Sequence, residues 1–280
     1  MNRKFLNKVT VTGADDKTDI KELLKIAEEY PFVEFGILIS KSSTGNHPRF
    51  PSVKWIEEFS TACLESKILP NVAGHVCGSW VNEIFLGKLI SFEIPRVFSN
   101  IVSRWQLNTH GIKHTCNISH FLNIIKAVNS SNQQIIFQFD EANTETIVEA
   151  LNKELNVSAL YDMSHGAGVL PKNWKLPSDS KGNILSIPTG FAGGLSPENV
   201  KSQLIEIADH IFDFINDDPE CKILSEYGDL ISSKGFWIDA ETKLRSQYLN
   251  NDSGDQQFIV DYFDLNKVRK FLEEAKPYVI

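Results

Sequence analysis

Residues 189–200 read TGFAGGLSPENV. The β-branched and aromatic opening predicts a strand, and Gly193-Gly194 predicts a tight turn whose backbone amides are open to approach. Ser196, Pro197 and Glu198 follow as a capping hydroxyl, a first-turn proline and an acid beside the helix's positive end, so a helix is expected from residue 197. A strand that passes through a turn directly into a helix is half of a βα repeat, the building unit of parallel sheets.

Outward from this segment the pattern recurs along nearly the whole chain. Strands are expected at residues 9–12, 33–39, 72–77, 102–107, 134–139, 159–163, 186–192 and 236–239. Helical apolar spacing marks residues 19–30, 52–66, 80–86, 119–128, 144–155, 197–215 and 265–275; Ile20, Leu23, Leu24, Ile26 and Ala27 form the stripe of a helix lying on a sheet. Eight strands alternating with seven helical stretches predict an α/β fold, a single (β/α)8 barrel over residues 1–280, and 280 residues suit one barrel of this type. The connection at 166–185, rich in Gly, Pro, Ser and Lys, shows no helical spacing and is expected to be a mobile loop over the rim; residues 216–234 and 246–258 also read as irregular.

Hydrophobic residues make up 42% of the chain and charged ones 23%, enough apolar surface for a packed core. A formal charge of -8 opposes long-range attraction to nucleic acid or to an anionic membrane, so any bound anion must be held by local donors. Cys63, Cys77, Cys116 and Cys221 show no metal-ligand spacing and no paired pattern, so no metal, cofactor or disulfide is expected. The N-terminus turns polar at TGADDKTD, and no apolar run reaches the ~18 residues of a membrane span, so a cytoplasmic location is expected. The sequence carries no reading of oligomeric state.

In a parallel barrel alternate residues point inward, and those at the strands' C-terminal ends face one pocket. That alternation places Thr10, Thr12, Glu34, His75, Cys77, Gln106, Gln138, Asp162, Trp237 and Asp239 inside. Gly193-Gly194 ahead of a helix suits a phosphate, or alternatively makes only the turn. His75 and Cys77, two residues apart, share one side of their strand, as a base and thiol pair or as packed, inert core residues. His165, in DMSHGAG, is placed for acid–base work or for solvent, and Trp174 for stacking on a ligand or anchoring its loop. Glu34, Gln106, Gln138 and Asp239 are suited to orienting hydroxyl groups.

The motifs, taken in order, resemble phosphoribosylanthranilate isomerases, barrels that carry out an Amadori rearrangement. KVTVTGADDKTD is similar to that family's opening strand and turn, FGILISKSSTGNHPRFPS to its second strand and Arg-containing loop, and SRWQLN to its fourth strand. ALYDMSHGAGVLPKNW resembles its sixth strand and Gly-rich loop, FAGGLSPENV its phosphate-gripping seventh, and GFWIDAETKL its eighth. The resemblance implies a small phosphorylated, ribose-like ligand, Asp162 as general acid, Arg49 as clamp for a ligand carboxylate, and the Gly193-Gly194 amides as phosphate donors.

Two departures stand out. Where the family has a cysteine base at the end of strand one, this chain has Thr12, whose hydroxyl is far too weakly acidic to serve as a resident base. The serine- and glycine-rich turn after strand eight is replaced by Asp239-Ala240-Glu241-Thr242-Lys243. Three readings remain: an isomerase acting on a phosphorylated sugar derivative, a barrel that binds or sequesters such a ligand without turnover, and an enzyme of other chemistry that uses His75, Cys77 or His165.

Overall fold

A computed structural model describes residues 4–88, 94–109, 118–139, 143–162, 164, 167–217, 222–250 and 258–280. Eight parallel strands close into a barrel in chain order: β1 (Leu6–Thr12), β2 (Val33–Ser40), β3 (Asn71–Cys77), β4 (Arg104–Leu107), β5 (Gln134–Gln138), β6 (Val157–Asp162), β7 (Thr189–Ala192) and β8 (Phe236–Ala240). The (β/α)8 architecture is therefore the one the alternation predicts. Around it lie α1 (Ile20–Glu29), α2 (Val53–Glu65), α3 (Ser79–Phe85), α4 (Arg96–Ile101), α5 (Ile118–Ser130), α6 (Thr144–Asn152), α7 (Val200–Asp217), α8 (Lys222–Lys234) and α9 (Leu265–Ala275). No helix among the described residues is long and apolar enough to cross a membrane.

Local chemistry fixes the helix starts. Asp19 accepts from the Lys21 and Glu22 amides ahead of α1, Ser52 from the Trp55 amide ahead of α2, and Asp264 from the Asn266 and Lys267 amides ahead of α9. At the expected start of α7 the chain first makes a turn. Ser196 Oγ accepts from the Glu198 amide, Asn199 Oδ1 accepts from the Ser196 amide, and the regular helix begins only at Val200.

Two stretches expected to be irregular are ordered. Residues 222–234 form α8, whose buried side chains Tyr227 and Ile231 stand one turn apart among charged neighbours, too thin a stripe to stand out in the sequence. β9 (Arg245–Asn250) and β10 (Phe258–Phe263) form an antiparallel ribbon outside the barrel, with Leu249 opposite Ile259 and both exposed, so the usual apolar–polar alternation is lost. The connection after β6 has no helix among its described residues, as expected, but it is pinned. Trp174 is buried against Tyr161 and Phe191, and its Nε1 donates to Gln203 Oε1 at 3.1 Å.

The apolar core lies between strands and helices; inside the barrel Ile136, Leu160, Ala192 and Trp237 form a separate plug. Each fully buried Leu, Ile or Phe contributes about 1.5–3 kcal/mol. Beside the plug the interior is polar. Glu34 accepts from Arg104 Nε at 2.8 Å, from Arg104 Nη2 and from the Thr10 hydroxyl at 2.9 Å, and Lys8 Nζ stands 3.7 Å away. Arg104 also lies over the Trp237 ring, 4.5 Å from its centroid. Burial alone would raise the Glu34 carboxyl, but the Arg104 guanidinium wins and holds it at about 2.

Candidate active site

Strand register brings the inward residues into two rows. Asp162 pairs with Ala192, Ala192 with Asp239, and Asp239 with Thr10; opposite, Leu38 pairs with His75 and His75 with Gln106. A cavity of about 330 Å³ opens above them at the strands' C-terminal ends. Its wall holds His75, Cys77, Gln106, Asp162, Gly193, Gly194 and Asp239 from the strand ends and the β7 turn, with Arg49 from the loop after β2. Thr12 stands behind Asp239. His165 lies outside the described residues, and Glu34 is locked by Arg104 and Thr10 beneath the cavity, where it has no hydroxyl-orienting position.

The Thr12 hydroxyl donates to Asp239 Oδ1 at 2.8 Å. Burial pushes the Asp239 carboxyl up to about 8; the Thr12 hydrogen bond resists that shift, while the charges of Glu241, Asp162 and Glu34 add to it. Near neutral pH this acid gains or loses a proton within the working range of a general acid–base group. Asp162 is held differently: Oδ1 accepts from the Ser164 amide at 3.0 Å and its hydroxyl at 2.8 Å, and Oδ2 accepts from Gln138 Nε2 at 3.1 Å.

The third strand does not supply an activated thiol. Burial raises the Cys77 thiol to about 12, so no thiolate forms near neutrality. Burial also lowers His75 to about 4, which leaves a neutral imidazole beside it and no imidazolium to activate the sulfur. The pair on one strand face is real; its role as base and nucleophile is not supported by these states.

Arg49 already faces a carboxylate: its Nη1 donates to Glu241 Oε1 at 2.8 Å and to Thr242 Oγ1 at 3.3 Å. Burial raises the Glu241 carboxyl against the pull of Arg49. The loop that carries Arg49 is tethered by Arg245, which donates to the Pro48 carbonyl at 3.0 Å, Asp15 at 2.7 Å, Asp261 at 2.8 Å and the Gly13 carbonyl. Arg245 thus ties the β1 turn, the Arg49 loop and the β9–β10 ribbon together.

Gly193 and Gly194 have φ of +119° and +65°, backbone that L side chains rarely adopt. A Cβ on Gly194 would stand 2.4 Å from the Leu170 amide nitrogen. The missing side chain therefore admits the backbone of the loop after β6, and the turn and the rim loop form one packed unit. Gly168, Gly194, Ser196, Lys243 and Lys267 line a second, open depression beside it.

Asn108 escaped the sequence reading. It follows Gln106 by two on the same face of the chain, and that spacing in SRWQLN was the available signal; its Nδ2 donates to Cys77 Sγ at 3.1 Å. Glu241 was legible as a carboxylate near the anion site but not as the partner of Arg49.

No family model and no curated protein sequence matches the chain. Among solved structures, the chain is similar to N-(5'-phosphoribosyl)anthranilate isomerase from Pyrococcus furiosus at 14% identity and a TM-score of 0.46, over 96% of this chain and 98% of that one. It is similar to 3-keto-L-gulonate-6-phosphate decarboxylase from Vibrio cholerae at 10% identity and a TM-score of 0.46, over the whole of both chains. A further likeness, at 12% identity and a TM-score of 0.43 over 98% of this chain and 88% of the other, is to the YdjI aldolase from Escherichia coli K12. The closed barrel stands on its own strand pairing, and the chemistry of the site on its own side chains.

Proposed function

We propose that the barrel isomerises a small phosphorylated sugar derivative by proton transfer, an aldose–ketose rearrangement of the Amadori type. The observation that carries this reading is the Thr12–Asp239 pair: a buried carboxyl with an affinity for protons near pH 8, oriented by a hydroxyl, in a cavity that also holds Asp162. In this reading Asp239, on the strand beside β1, takes over as base where Thr12 cannot serve. Asp162 gives a proton to the ring oxygen and opens the sugar. The Asp239 carboxylate then takes the proton from C2, beside the resulting iminium, and delivers it to C1, while the C2 hydroxyl returns a proton to Asp162 as that oxygen becomes the new carbonyl. Protons balance, and nothing is oxidised or reduced overall.

The phosphate belongs at the Gly193-Gly194 turn with Ser196 and Lys243, and a ligand carboxylate at Arg49 once Glu241 yields its place. The Arg49 and Gly193-Gly194 assignments follow the resemblance; Ser196 and Lys243 are added because they line the depression beside the turn, and the shared lining of Arg49, Gly193, Gly194 and Lys243 supports the reading. The test is solvent exchange. In D2O, wild-type protein should place deuterium at C2 of D-ribose 5-phosphate or of N-(5'-phosphoribosyl)anthranilate, and Asp239→Asn or Asp162→Asn should slow this at least ~100-fold. Tight binding of these compounds with no exchange would replace the enzyme reading with that of a ligand-sequestering barrel.

A further inference from the structure

His75 has a second nitrogen that the fold leaves unanswered. The Cys77 thiol, 3.7 Å from the His75 carbonyl oxygen, donates to it, and the sulfur accepts from Asn108 Nδ2 at 3.1 Å. Asn108 Oδ1 accepts from Gln106 Nε2 at 2.9 Å, and the same Gln106 nitrogen lies 3.4 Å from His75 Nδ1. A primary amide nitrogen carries two hydrogens. One goes to Asn108 and the other points to Nδ1, so Nδ1 is an acceptor and the proton of the neutral ring sits on Nε2.

That Nε2–H is buried, in a side chain that lines the cavity, and has no hydrogen-bond partner among the described residues. Buried donors are rarely left unpaired, and an exception inside a cavity marks a place for an acceptor. The ring edge of His75 packs over Gly36: a Cβ there would stand 2.9 Å from His75 Nε2 and 2.2 Å from Thr12 Oγ1, so any other residue would push both side chains away. Thr12 in turn holds Asp239. His75 and Asp239 both line the cavity, with Thr12 between them.

We infer that His75 Nε2–H donates a hydrogen bond to the carbonyl oxygen of a phosphorylated ketose, with Gln106, Asn108 and Cys77 as positioning residues that fix its tautomer. This rests on the proton-transfer reading above and changes the part His75 plays in it, from candidate base to neutral donor. When the Asp239 carboxylate takes the proton from the carbon beside the carbonyl, that C–H bond breaks and an O–H bond forms on Asp239. The freed pair makes the C=C bond, and the carbonyl π pair moves onto oxygen. His75 keeps its proton and holds the oxygen's growing negative charge, the action of a preorganised donor.

Two measurements test this on the full-length protein. Long-range ¹⁵N–¹H NMR of the imidazole rings should show His75 protonated on Nε2 and bare on Nδ1 between pH 6 and 8, and the preference should weaken in Asn108→Leu. A proton on Nδ1 in the wild type overturns the inference. The second measurement is calorimetric binding of 4-phospho-D-erythronohydroxamate, which carries an enediolate-like oxygen, beside inorganic phosphate. Affinity for the hydroxamate should fall about 30-fold in His75→Leu and return to within about fivefold in His75→Gln, with phosphate affinity unchanged. Equal hydroxamate binding by wild type and His75→Leu, or phosphate binding without hydroxamate binding, overturns the role of His75 alone. Failure of the wild type to bind either probe overturns the phospho-sugar reading and this inference with it. Should His75→Leu not fold, the wild-type tautomer decides.

Discussion

Thr12 shows how a side chain too weak to act as a base can still serve its neighbour. A hydroxyl cannot hold a basic lone pair near neutrality, but it can donate, and at 2.8 Å it steadies the charged form of Asp239. Removing that donor in Thr12→Val should raise the Asp239 carboxyl further above 8. The alkaline-rising limb of kcat/KM should then move to higher pH by about one unit, and a limb that stays in place would separate Thr12 from the titrating group. Glu241 presents the converse case: it occupies Arg49 with a carboxylate of the protein's own. Glu241→Gln removes that competing charge and should tighten the binding of anthranilate about tenfold by calorimetry. Unchanged or weaker binding would remove Arg49 from the role of clamp.

At the scale of elements, the legible parts of the chain were those governed by local periodicity. Asp239, Asp162, His75 and Gln106 could be placed at strand ends because side chains alternate with period two and each strand stops at a polar or glycine turn. The Arg49–Glu241 pair joins positions 192 residues apart through two loops, and no local pattern encodes such a meeting. α8 and the β9–β10 ribbon were hidden for a different reason. Each buries only a few side chains, so their apolar patterns are weak. The Gly193-Gly194 turn reads in the sequence as an anion cradle or as a turn alone, and neither reading contains the approach of the rim loop that its glycines allow. Gly194→Ala places a side chain at φ +65° and drives its Cβ against the Leu170 backbone. It should destabilise the protein by about 2–3 kcal/mol in urea unfolding and expose residues 168–170 to limited proteolysis. A loss below about 0.5 kcal/mol with no new cleavage would show that the loop does not depend on this packing.

For the whole molecule, buried ionisable groups set a pH profile of stability in which one carboxyl stands apart. Asp239 holds its proton to about 8 in the folded chain, whereas an unfolded aspartate releases it near 3.9. Its contribution is therefore complete below the unfolded value and is lost as pH rises toward 8. His75 runs the other way: folded near 4 and unfolded near 6.5, it favours the native state above 6.5 and is lost as pH falls through 4. Glu34, held near 2, acts only below about 4.5, and the thiols of Cys63 and Cys77, raised to about 12, act only above about 8.5. Between pH 6.5 and 8 Asp239 sets the slope among these groups, and Glu241, also raised by burial, acts in the same direction. Asp239 should lower wild-type stability by about 2 kcal/mol across that interval, at roughly 1.36 kcal/mol per unit. Asp239→Asn keeps an acceptor for the Thr12 hydroxyl and removes its titration, so its urea midpoints at pH 6.5 and 8 should lie much closer together than those of the wild type. Parallel declines in the two proteins would mean that Asp239 is not the group held protonated in the fold, and the proton-transfer role assigned to it would fall with that result.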